Sequence, residues 1–205
     1  MRIGVFGGTF DPVHLGHLIT AEQAREQANL DQVWFVPSAR PPHKLEQAIT
    51  SFERRFDMLQ LALAGQTHFR VDFIEKERPG PSYTADTLAD LARAHPDHEW
   101  FLLVGADCLP DLVKWHQPQQ IVERATLLVA DRLGFEVWEA ARLAESLDMP
   151  CDQVRLKPIR VPLIEISSRD LRQRAREGRS LLYFVPRAVE MYIREKRVFG
   201  SLNRT

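Results

Sequence analysis

The chain has 205 residues, 44% hydrophobic and 27% charged, with 27 lysines and arginines against 28 aspartates and glutamates. That length and apolar content suffice for one ample domain with a real core. The formal net charge of −1 excludes a whole-chain attraction to nucleic acid or an anionic membrane, so any anion site must be built locally. The two cysteines, Cys108 and Cys151, form neither a disulfide framework nor a CxxC pair. No stretch approaches the ~20 apolar residues of a membrane span, and the apolar run Ile3 to Phe6 is too short for a signal-peptide core. A soluble, cytoplasmic protein is expected.

Short apolar runs then alternate with longer amphipathic ones. IGVF (3–6) predicts a buried strand, and LITAEQAREQAN (18–29) the helix after it. QVWFVP (32–37) predicts a second strand, followed by a proline-rich loop, SARPPHKLEQAI (38–49). SFERRFDMLQLALAG (51–65) is a helix with a serine start and a glycine stop. HFRVDF (68–73) predicts a strand, SYTADTLADLARAHP (82–96) a helix, and HEWFLLVGAD (98–107) and ATLLVADR (125–132) buried strands. EVWEAARLAESLD (136–148) predicts a helix and QVRLKPIRVPLIEIS (153–167) one or two strands. SSRDLRQRAREG (167–178) and VPRAVEMYIREK (185–196) are closing helices.

Strands separated by helices of this length indicate a doubly wound parallel sheet, an α/β fold covered on both faces. One domain spanning 1–205 is expected, its helical C-terminal end running from about 166 to 205. Ligands in such folds sit beyond the carboxyl ends of the strands. That places the site in the loops after IGVF, QVWFVP, FLLVGAD and LIEIS.

The turn GGTFDPVHLGHL (7–18) fits that expectation. Gly7 and Gly8 let the backbone approach a ligand closely. Leu15, Gly16 and His17 open a helix whose unpaired amides and dipole favour an anion. His14 and His17, three apart, share a face if both lie in the first turn, and read as a partly cationic phosphate nest. Either histidine alone reads as incidental; the glycines, the proline and both histidines together do not. The stretch is neither GxGxxG nor GxxxxGK[ST], so dinucleotide-fold and phosphate-loop fingerprints are both unsupported.

GGTFDPVHLGHL resembles the signature of the nucleotidylyltransferase superfamily, with HxGH at His14-Leu15-Gly16-His17. The resemblance implies a Rossmann-like sheet and a phosphate attacking the α-phosphate of a nucleoside triphosphate, with pyrophosphate leaving and no covalent intermediate. Charge stabilisation and positioning then supply the catalysis. It implies that Gly7, Gly8, Thr9, Phe10 and Gly16 belong to the ATP side.

Further along, Ser167 with Asp170 three residues on fits a capping box with Asp in place of Glu or Gln. Capping leaves unexplained Arg169 and Arg172, cations in a first turn where the helix dipole disfavours them. A polyanion there offsets that cost; a solvated basic face shared with Arg176 is the alternative. The segment resembles the superfamily's ISSTxxR-type motif. By that resemblance Ser167, Ser168 and Arg172 hold the β- and γ-phosphates, while Arg169 departs from the usual threonine or serine.

Four stretches bear on the acceptor. Lys44 of PPHK could reach a phosphate, Tyr83 and Thr84 stand at a helix start with Thr84 a candidate cap, and Gly105 and Asp107 end a central strand. Asp107 could accept from ribose hydroxyls, and Trp115 is either core or a stacking surface for a flat ring. Together PPHK, PSYTADTL, GAD followed by KW, and ISS resemble the bacterial nicotinate-mononucleotide adenylyltransferases along nearly the whole chain. The resemblance implies nicotinate mononucleotide and ATP as substrates, deamido-NAD and pyrophosphate as products, and Mg²⁺ held chiefly by phosphates. It implies that His14, His17 and Lys44 are catalytic and that Tyr83, Thr84 and Trp115 surround the pyridine ring. ADRLG replaces a frequent Arg-Pro-Gly turn, and His116 replaces a frequent aromatic. Other acceptors within the superfamily, a turnover-free nucleotide sensor and a nucleic-acid module are the competing readings. Oligomeric state is left open, a homo-oligomer included.

Overall fold

The described residues of the computed structural model, 1–42, 49–132 and 134–200, build their sheet from the long apolar runs. The strands are β1 (Arg2–Gly8), β2 (Gln32–Pro37), β3 (Phe69–Val71), β4 (Glu99–Gly105), β5 (Ala125–Ala130) and β6 (Leu156–Ile159). All pair in parallel, in the order β3-β2-β1-β4-β5-β6. The chain steps outward from β1 through β2 to β3, then returns to β1's other side with β4. That reversal opens a crevice at the carboxyl ends of β1 and β4. The arrangement is a doubly wound, Rossmann-like α/β sheet, as expected.

Helices cover both faces: α1 (Leu15–Gln27), α2 (Phe52–Leu63), α3 (Ile74–Glu77), α4 (Thr84–Ala94), α5 (Leu109–Leu112), α6 (Pro118–Arg124), α7 (Ala140–Ser146), α8 (Ser168–Arg176) and α9 (Arg187–Glu195). Successive strand residues point to opposite faces, so the core divides in two. Trp34, Val36, Leu102, Val104 and Leu127 pack against Leu88 and Leu91 of α4, Ile121 of α6 and Leu143 of α7. Val33, Phe35, Phe101 and Leu103 pack against Ala21 and Ala24 of α1, Met58 and Leu59 of α2, Leu171 of α8 and Ile193 of α9. The C-terminal helices thus share a face with α1 and lie close to the turn after β1.

Several elements differ from expectation, each for a local reason. α1 starts at Leu15, ahead of the amphipathic run at Leu18 and where the GGTFDPVHLGHL turn places its opening, because His14 caps it. β3 ends at Val71, and the Asp72 carboxylate accepts the Ile74 N–H (3.0 Å), turning the chain into α3. Only Leu156–Ile159 of the 153–167 run pairs in the sheet. It is an edge strand, where Pro158 is tolerated, and beyond it Pro162 has no N–H to give a ladder. The helix expected over 136–148 forms only over Ala140–Ser146. α5 and α6 were not expected; α6 opens with Pro118 after a left-handed Gln117, a favoured helix start. None of the described helices is long and apolar enough to cross a membrane.

Candidate active site

The carboxyl ends of β1, β2, β4 and β5 open into one cleft of about 1730 Å³. Sites for single small ligands run to roughly 1,000 Å³, so this one has room for two substrates side by side. Gly7, Gly8, Thr9, His14, Gly16, His17, Tyr83, Thr84, Gly105, Asp107, Trp115, Ser167 and Ser168 all line it. Phe10 and Arg172 lie behind that lining, and Lys44 falls outside the described residues.

The two histidines form a reciprocal cap. The His14 N–H donates to His17 Nδ1 (3.2 Å), and the His17 N–H donates to His14 Nδ1 (3.4 Å). A neutral imidazole that accepts at Nδ1 carries its proton on Nε2, so backbone geometry fixes both side chains as Nε2–H donors. The rings stack with centroids 3.6 Å apart. Burial, and then the charge of Arg132, lowers the His14 pKa from 6.5 to about 4. Burial, and then the neighbouring His14, holds His17 well below its ordinary value. The nest is therefore neutral near pH 7, which corrects the expected partly cationic one: two stacked imidazoles, His14 buried and His17 largely desolvated beside it, cannot carry charge cheaply.

The glycine between them leaves room for the His14 ring. A Cβ on Gly16 would stand 3.1 Å from His14 Nδ1 and press on the ring. Phe10, 2% exposed and left-handed at φ 48°, lies beneath the loop. Its ring meets His17 edge-on at 5.0 Å and Phe6 at 5.5 Å, so it supports the nest from below.

The start of α8 closes the same turn from outside. Ser167 caps α8, its Oγ accepting the Asp170 N–H (3.1 Å), the forward half of the expected capping box. Ser168 Oγ donates to the Pro12 carbonyl (2.9 Å), and Arg172 Nη1 donates to the Asp11 carbonyl (2.7 Å). The segment thus braces the β1–α1 turn across more than 150 residues of chain.

On the opposite wall, Tyr83 and not Thr84 is the N-cap of α4, without a side-chain cap bond. Its ring stacks on His116 (4.3 Å between centroids), so the histidine occupies an aromatic's place. Trp115 packs against the core, as one of its two readings expected, and also borders the cleft. Behind them stands a polar network absent from the sequence reading. Buried Glu75 accepts from Thr87 Oγ1 (2.7 Å) and the Ala39 N–H (3.3 Å). Arg78 donates to Thr87 Oγ1 (3.1 Å) and Asp90 (2.9 Å), which pins the start of α4.

At the end of β4, Asp107 folds back over Gly105, where a Cβ would collide with its carboxylate. Asp107 Oδ2 accepts from Arg132 Nη1 (2.8 Å), while Oδ1 is buried without a partner among the described residues. Arg55 and Asp11 are both buried behind the loops, and nothing local in the sequence singles out Asp11. Arg55 did leave a signal: it lies on the apolar stripe of α2 with Met58, Leu59 and Leu63, where a cation is out of place.

A neutral pair of oriented N–H donors at a helix start, in a two-substrate cleft at the switch point of a 3-2-1-4-5-6 sheet, is nucleotide-handling architecture. The chain belongs to the cytidylyltransferase-like family, whose model matches residues 5–174. Within that class it is similar to proteins of one more particular name. A "Probable nicotinate-nucleotide adenylyltransferase" of Thermomicrobium roseum is 47% identical over 98% of this chain and 92% of its own. Proteins of the same name from Thermus thermophilus (44%, covering 97% of this chain and 100% of that one) and Geobacillus thermodenitrificans (40%, 98% and 87%) are also similar. Among solved structures, Plasmodium falciparum nicotinic acid mononucleotide adenylyltransferase complexed with NaAD superposes with a TM-score of 0.78, covering 97% of each chain. At 17% identity that likeness concerns the fold.

Proposed function

We propose that this chain is a nicotinate-nucleotide adenylyltransferase, joining ATP and nicotinate mononucleotide to give deamido-NAD and pyrophosphate. The observation that carries the reading is the reciprocal His14–His17 cap, which presents two Nε2–H donors at the start of α1. A phosphate oxygen of the mononucleotide attacks the α-phosphorus of ATP. The new P–O bond forms as the bond to the β-phosphate breaks, and pyrophosphate leaves with that electron pair. No general base is required, because the nucleophile is already an anion.

His14 and His17 donate to the oxygens around the α-phosphate, where charge shifts during the displacement. Gly7, Gly8, Thr9 and Gly16 give the triphosphate close backbone approach, with Phe10 acting from beneath. Ser167 accepts from a backbone amide and keeps its hydroxyl proton for the leaving pyrophosphate. Ser168, at the first turn of α8, has an end-of-helix N–H to offer. Arg172 adds the guanidinium donors not engaged by Asp11. Asp107 and Gly105 serve the ribose side, Tyr83, Thr84 and Trp115 the pyridine ring, and Lys44 the acceptor phosphate.

We assign Mg²⁺ to the phosphate oxygens of the triphosphate, where it offsets negative charge; no group of three or more His, Cys, Asp or Glu among the described residues could hold a metal. The same reading puts the enzyme in the cytoplasm with its water-soluble substrates. The test is pyrophosphate release from ATP against a panel of phosphate acceptors: nicotinate mononucleotide, 4′-phosphopantetheine and phosphocholine. Turnover confined to the first supports the reading, and turnover with either of the others in its place rejects it.

A further inference from the structure

The most unusual buried group among the described residues lies outside the cleft. Arg55, in the first turn of α2, is 2% exposed and meets no carboxylate within salt-bridge distance among the described residues. All its hydrogen bonds among the described residues go to backbone carbonyls: Nε to Thr50 (2.9 Å), Nη1 to Thr9 (2.9 Å) and Nη2 to Ser38 (2.8 Å). Burying a cation costs several kcal/mol unless its surroundings compensate. A hydrocarbon side chain, like its stripe neighbours Met58 and Leu59, would fill this position without that penalty.

What the guanidinium joins accounts for its presence. Thr9 belongs to the turn after β1, on the ATP side, and Ser38 immediately follows β2, on the acceptor side. Both residues line the cleft, whereas Arg55 does not. Their carbonyls therefore point away from the cleft, toward the guanidinium. Thr50 begins the approach to α2, and its N–H donates to Asp11 Oδ2 (3.2 Å). Asp11 lends Arg55 its negative charge at longer range, and the Asp11 carbonyl is itself held by Arg172. The carbonyls of Thr9, Asp11 and Pro12 are thus held by Arg55, Arg172 and Ser168.

We propose that Arg55 is a positioning residue for the adenylyl transfer. It sets the distance between the ATP loop and the acceptor loop, and keeps the Thr9 and Ser38 carbonyl dipoles turned away from the polyanion. It touches neither substrate. The inference rests on the reading of the cleft as the ATP and nicotinate mononucleotide site. A lysine has one compact ammonium and cannot span three carbonyls set by a planar fork, and a glutamine amide has only two N–H donors.

The test compares wild type, Arg55→Lys and Arg55→Gln in steady-state pyrophosphate release, each assayed below its own thermal midpoint followed by circular dichroism. We expect kcat to fall tenfold to a hundredfold in both variants, with KM for each substrate within threefold of wild type. That split follows because loop misplacement degrades alignment more than binding. Wild-type kcat in a folded variant overturns the proposal, as does a loss that only tracks the folded fraction. Failure of both variants to fold at any temperature overturns it too, making Arg55 a determinant of the fold alone. A wild-type protein inactive with nicotinate mononucleotide is a different result: it rejects the substrate reading.

Discussion

The neutral histidine pair ties the site to acid stability. An imidazole whose folded pKa lies below its unfolded value binds fewer protons folded than unfolded. Its stabilising contribution is fully present above the unfolded pKa and is lost as pH falls through it toward the folded one. For His14 that interval runs from 6.5 down to about 4. Each pH unit well inside it removes about 1.4 kcal/mol, so acidification from pH 7 to pH 5 should cost about 2 kcal/mol through His14. That is a substantial part of the ~5–15 kcal/mol that stabilises an ordinary domain. His17 acts in the same direction. The assay is urea unfolding at pH 7 and pH 5 for wild type and His14→Asn. Asparagine is as good an N-cap as any residue and does not titrate. The variant should lose about 2 kcal/mol less than wild type over the interval, since groups away from the pair contribute equally to both proteins. Equal losses in the two proteins would refute the claim that burial holds His14 neutral.

His17→Ala removes one oriented donor and should lower kcat by about 10²-fold or more; a raised KM with unchanged kcat, read from full saturation curves, contradicts a catalytic role. Thr87→Val leaves the buried Glu75 carboxylate and Arg78 without their shared hydroxyl. It should cost about 1–3 kcal/mol in thermal or urea unfolding, and raise KM for the mononucleotide several-fold while KM for ATP stays near wild type.

The sequence carried the central architecture because parallel strands buried on both faces must be apolar throughout. IGVF, QVWFVP, FLLV and ATLLVA meet that condition, and all four lie in β1, β2, β4 and β5. The histidine turn was legible for a different reason: two glycines, a proline and two histidines are poor choices for folding alone. What stayed hidden was chemistry set by three-dimensional neighbours. Nothing local shows that His14 and His17 lock each other's Nδ1 atoms, or that stacking and burial keep both neutral. The short β3 and the unpaired stretch beyond Ile159 share the pattern of real strands; the turn in which Asp72 accepts the Ile74 N–H ends one, and an edge position with Pro162 beyond it ends the other. The motif resemblance makes Arg172 a phosphate ligand, and the structure adds its bond to the Asp11 carbonyl, which only the tertiary fold could supply.

The central claim is that this cleft transfers an adenylyl group from ATP to nicotinate mononucleotide. Pyrophosphate release from ATP and Mg²⁺, with nicotinate mononucleotide and nicotinamide mononucleotide as parallel acceptors, tests it most directly. The two differ only in a carboxylate exchanged for an amide. The account predicts rapid turnover with the acid and a rate at least tenfold lower with the amide. Equal rates, or no turnover with either, would contradict it.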